Sequence, residues 1–84
     1  MPEFVFIADK ISLSSLRDYI FVKKINKGDS IVLNPIDYEA IITDIKNSEE
    51  GLDIPINVLG ILIIKDTTGD VPLGKAQIIK NEKH

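Results

Sequence analysis

The chain has no cysteine and no tryptophan, a single arginine, Arg17, and a single histidine, His84, at its last position. Without cysteine, no disulfide or thiolate zinc site can brace it, and no thiol nucleophile is available. One terminal histidine leaves out a histidine-centred proton relay and a multi-histidine metal site. No metal, cofactor or catalytic residue is therefore expected. Basic charge is also short: ten Lys and Arg stand against thirteen Asp and Glu, a formal net charge of −3. Nucleic-acid binders draw much of their affinity from neutralising phosphates. Here only Lys23, Lys24 and Lys27 fall close together, so a nucleic-acid partner is not expected. The longest apolar run, Val58 to Ile64, is far below the roughly 20 residues that span a bilayer. Met-Pro-Glu followed by Phe4 to Ala8 lacks the basic start of a secretory signal. These absences lead to the expectation of a soluble, cytoplasmic protein with no membrane partner.

What the chain has in quantity is isoleucine, sixteen among 84 residues. That length supports one domain, which buries roughly 60–65% of its unfolded surface and is marginal on its own. Phe4 to Ala8 is short, β-branched and aromatic, and reads as a strand. Ser12 is a good N-cap, and Leu13, Leu16 and Ile20 share a helical face, which predicts a helix over 13–19. Residues 19–25, with Tyr19-Ile20-Phe21-Val22, suit helix or strand. After the turn at Lys27-Gly28-Asp29, Ser30 to Leu33 is a strand. Asn34 then caps a helix with Pro35 at its first position, and Tyr38, Ile41, Ile42 and Ile45 line one face, which predicts a helix over 35–47.

Pro55 makes residues 52–57 extended. Asn57 to Lys65 reads as one strand, apolar on both faces: Leu59, Ile61 and Ile63 on one, Val58, Leu62 and Ile64 on the other. Asp66 to Asp70 is a turn. Val71 to Ile79 is a last strand, with a bulge at Gly74 letting Val71 and Leu73 share a face with Ala76 and Ile78. The order is β-α-β-α-β-β. The fold class is α+β: a small, mostly antiparallel sheet with the 35–47 helix packed on one face and a C-terminal β-hairpin.

Gly69 to Lys75 spells G-x-x-x-x-G-K, the outline of a phosphate-binding loop. Such a loop needs a hydroxyl after the lysine for Mg²⁺ and a helix to follow. Position 76 is alanine, the following segment is β-branched, and Pro72 removes an amide. The stretch therefore reads as strand–turn–strand. Asp66 and Asp70, with the threonines between them, invite a cation, but Asp and Thr in turns usually bond their own backbone. Asp37/Glu39 and Glu49/Glu50 are paired carboxylates expected to be solvated.

The segment "IVLNPIDYEAI", 31–41, resembles the strand-to-helix stretch of Phd/YefM-type antitoxins, where an apolar strand leads into a capped helix with Tyr-Glu-Ala. "SLSSLRDYI" is similar to their first helix. The likeness covers about a third of the chain. The basic strand of that family is missing, and β-rich sequence stands where its toxin-wrapping tail would be. The resemblance implies a small regulator that binds a protein target or DNA.

Two short helices cannot readily cover so much apolar strand surface. Leaving some 300 Å² of it wet would forgo roughly 7 kcal/mol, comparable with a small domain's whole stability. The functional expectation is a non-catalytic interaction or assembly module that completes its core against a second copy or another protein. The expected interface comprises Phe4, Phe6, Leu59, Ile61, Ile63, Val71, Leu73 and Ile79, with Arg17 and Tyr19 as polar contacts. The antitoxin-like regulator and an enzyme with a carboxylate site at an oligomer interface are the alternatives.

Overall fold

A computed structural model describes residues 4–48 and 55–80. It contains β1 (Phe4–Phe6), α1 (Leu13–Lys23), β2 (Ser30–Leu33), α2 (Pro35–Asn47), β3 (Ile56–Val58), β4 (Ile61–Lys65) and β5 (Lys75–Ile79). The five strands form one mixed sheet in the order β1-β5-β2-β4-β3. Only β2 and β4 run parallel; the other three pairs are antiparallel. The α+β class expected from the sequence is the fold observed.

Capping places both helices. Asn34 Oδ1 accepts the Ile36 amide at 2.9 Å and Pro35 follows, so α2 begins where the sequence puts it. At α1, Ser12 and Ser15 form a reciprocal capping box, and Asp44 of α2 accepts the Leu13 amide at 2.9 Å. The open stretch 19–25 is helical as far as Lys23. Lys24 then turns left-handed (φ 53°) and its amide closes back on Ile20 and Phe21.

Both helices pack on the same sheet face. Leu13, Leu16, Ile20 and Ile41 form one core with Ile31, Leu33, Ile56, Val58, Ile61, Ile63 and Ala76. The register places Phe4, Phe6, Ser30, Val32, Asn57, Leu62, Ile64, Lys75, Gln77 and Ile79 on the opposite face, which carries neither helix.

Several details depart from the sequence reading. The 57–65 segment is not one strand: Leu59 and Gly60, both with positive φ (54° and 85°), turn the chain, so that β3 and β4 form a two-residue hairpin. The turn pairs Val58 with Ile61 and sends both into the core; in a straight strand, residues three apart would face opposite ways. The C-terminal hairpin is absent, because β2 lies between β4 and β5. The chain leaves β4, spans 66–74, and returns antiparallel on the far side of β2.

There is no bulge at Gly74, since β5 starts only at Lys75; Val71 is buried in the loop and Leu73 is exposed. β1 ends at Phe6, and the Ile7 and Ala8 amides turn to the Gly74 carbonyl at 2.8 and 3.3 Å. Glu49, Glu50, the first half of the 52–57 connection and His84 lie outside the described residues.

Candidate functional site

Three regions bear on function: the 66–74 loop, the helix-free sheet face, and the end of α1. The loop sits at the C-terminal ends of β2 and β4, and its Asp66, Thr68, Val71 and Gly74 are engaged within the chain. Asp66 is buried, with Oδ2 accepting the Val71 amide at 2.9 Å and Oδ1 the Thr68 amide and hydroxyl at 3.0 and 2.7 Å. The Val71 amide foremost, then the Thr68 hydroxyl and amide, hold its carboxyl down to about 2 from 3.8. The Thr68 hydroxyl also lies 2.9 Å from Asp70, and its single proton serves one carboxylate at a time.

Asn34 and Asp37 fasten the loop to α2. Asn34 Nδ2 donates to the Val71 carbonyl and Asp37 Oδ2 accepts the Gly74 amide, at 2.9 and 2.8 Å. Asp37 is thus buried, not solvated: a 74-amide 37 positions away needs it, and no local signal announces that.

This geometry disposes of the phosphate-loop outline. Lys75 opens a strand, not a helix, and the Gly74 amide already donates to a carboxylate. The Asp66 oxygens likewise serve the loop's own donors. Among the described residues, no group of three or more His, Asp, Glu or Cys is placed to hold a metal ion.

The helix-free face brings together three of the expected interface residues. Phe4 is half-buried, while Phe6 and Ile79 are 59% and 45% exposed. Leu62 and Ile64, which the sequence placed on the other side of its single strand, lie half-buried on this face, around a buried Val32. Six of its ten residues are apolar, and Lys75 is its only charge. Ile61, Ile63 and Val71 are not surface residues at all; each is 2% exposed or less. Leu73 is exposed on the 66–74 loop, outside the strands that form this face.

Leu59 belongs to the third region. At the N-terminal ends of β2 and β4, it lines a groove of about 500 Å³ with Ile20, Phe21, Val22, Lys24, Ile25 and Lys27. Phe21 and Val22 are 81% and 68% exposed, the highest values among the large exposed apolar residues. The sequence hinted at both: four successive apolar or aromatic residues, 19–22, exceed what one buried helix stripe uses.

Arg17 and Tyr19 border different clefts, which share Asp18. Arg17 borders a cleft with Ser14, Asp18, Asp44 and Asn47; Tyr19 borders another with Ile7, Ser15, Val22 and Lys23. Burial raises the Tyr19 pKa. Both lie on α1, hence on the helix-bearing side and away from Phe4, Phe6 and Ile79.

Compared with known proteins, the chain matches no family model, no curated protein and no solved structure. No helix among the described residues is long and apolar enough to cross a membrane.

Proposed function

We propose that the protein is a non-catalytic assembly module that self-associates through the helix-free face of its sheet. One observation carries the reading: on the side that neither helix covers, a five-stranded sheet presents five exposed or half-buried apolar side chains around a buried Val32, and a single charge. Apolar area in water stabilises nothing, whereas burying it gains about 25 cal/mol per Å². A second copy suits the surface because it brings the same nearly uncharged face, with only Lys75 to be kept apart. Two such faces stack in the manner of a β-sandwich, roughly 10 Å apart. The expected site residues Phe4, Phe6 and Ile79 enter this interface together with Leu62 and Ile64.

Sedimentation or light scattering at micromolar concentration tests the reading. Dimers or larger species are expected, and Phe6→Asp with Ile79→Asp should shift them to monomer without unfolding, since both side chains are exposed. A wild-type chain that stays monomeric throughout and binds no ANS would overturn it.

A further inference from the structure

We infer that the groove between the end of α1 and the β3–β4 turn is a separate docking surface, and that it takes a short amphipathic segment of another protein carrying carboxylates beside its apolar side chains. The inference rests on three observations that coincide at one place.

The first is backbone strain. Among the described residues, only Lys24 and Leu59 hold positive φ without being glycine, at 53° and 54°. Both line this groove. An L-residue in the left-handed region costs of the order of 1 kcal/mol, and a leucine has no short polar side chain to offset it. At the first position of a two-residue hairpin turn, Asn, Asp or Gly is the ordinary choice. Here a leucine stands instead, and it stays 55% exposed, so the fold bears the strain for only part of the burial a leucine can give. Strain retained at an exposed apolar residue points to a use outside the fold.

The second is shape. Buried Ile20 and half-buried Ile25 lie deepest, and the exposed Phe21, Val22 and Leu59 rise around them. A concavity of this size accepts a few side chains of a peptide. A lipid surface is better met by a convex apolar ridge.

The third is charge. Lys24 and Lys27 line the groove and Lys23 lies beside it, in a chain whose net charge is −3. Among the described residues, none of the three is within ion-pair distance of a carboxylate. The Lys27 stem lies against the turn: its Cγ stands 2.9 Å from where a Cβ on Gly60 would be. Cations beside an apolar groove select an occupant with apolar anchors and acidic neighbours.

A phage-displayed library of random dodecapeptides, panned against the full chain, tests the inference. Enriched peptides should carry apolar residues three or four apart flanked by Asp or Glu. Their affinity should fall about tenfold or more with Lys24→Glu plus Lys27→Glu, and again with Leu59→Asn, while circular dichroism and the melting temperature show the fold intact. It should also weaken as salt rises. Phe6→Asp with Ile79→Asp should leave peptide binding unchanged, so self-association and peptide docking fail or succeed independently. Several outcomes overturn the inference: no enriched consensus, a consensus without acidic residues, binding indifferent to the groove variants, or Phe21-dependent binding to phosphatidylcholine–phosphatidylserine vesicles in place of peptides.

Discussion

The two ends of the parallel pair β2/β4 are built on opposite terms. At the C-terminal end, the 66–74 loop is tied down by hydrogen bonds within the chain: Asp66 to Val71 and Thr68, Asn34 to Val71, Asp37 to Gly74. At the N-terminal end, a few residues away along the same strands, the exposed Phe21 and Val22 gather beside two residues with positive φ, Lys24 and Leu59. The first end resembles a molecule folded for itself. The second carries features that folding alone does not require. Where polar chemistry is dense and self-satisfied, as in the loop, it secures structure; where apolar groups and strain stand unanswered, a binding role is the physical expectation.

Gly74→Ala should break the contrast most severely. Its Cβ would fall 2.7 Å from the Ala8 carbonyl oxygen at a backbone φ of 77°, and that oxygen cannot swing aside as a side chain would. A loss of about 3 kcal/mol or more in urea unfolding is expected, as clash adds to left-handed strain. Asn34→Ala should cost about 2 kcal/mol, since it removes the α2 cap and orphans the Val71 carbonyl together. Gly69→Ala, in the same loop with φ 80° but nothing within 4 Å, should cost only about 1 kcal/mol. The difference between the two glycines isolates the clash from the strain.

Asp66 adds a pH signature to the closed end. Its carboxyl titrates lower in the folded chain than in the unfolded one, so its contribution is complete above about pH 4 and is lost as pH falls from 3.8 through about 2. Chemical unfolding across that window should show a step that Asp66→Asn flattens. At the open end the expected signs differ. Leu59→Asn should raise stability by about 0.5 kcal/mol, because asparagine tolerates the left-handed turn. Phe21→Ser should change it by less than about 0.5 kcal/mol, since the ring is 81% exposed. A large loss from Phe21→Ser would mean that the ring serves the fold, and the contrast between the two ends would collapse.

How much of this could be read from sequence follows from how local each feature is. The β2–α2 junction was legible because Asn34 and Pro35 act within one turn of the helix, and Tyr38, Ile41, Ile42 and Ile45 repeat at helical spacing. The Asp66 to Asp70 turn was legible for the same reason. Sheet order was not, because what carries the chain from β4 across β2 to its far side includes Asn34–Val71 and Asp37–Gly74, bonds that span 37 positions. The β3–β4 hairpin was hidden by Leu59, which occupies a position where Asn would have advertised a turn; Gly60 alone carried the signal. The end of α1 was hidden likewise by Lys24 in place of a capping glycine. Of the expected site, Phe4, Phe6 and Ile79 converge because their strands are joined through β5. Ile61, Ile63 and Val71 turned inward once the hairpin and the loop fixed their faces.

The strand order also sets a kinetic cost. Among the described strands β1 pairs with β5 alone, and Phe4 stands opposite Gln77, 77 − 4 = 73 positions along the chain. The entropy of closing so long a loop must be met before the pairing stabilises anything. In refolding from denaturant, the β3–β4 hairpin is therefore expected to gain amide protection early and the β1–β5 ladder late.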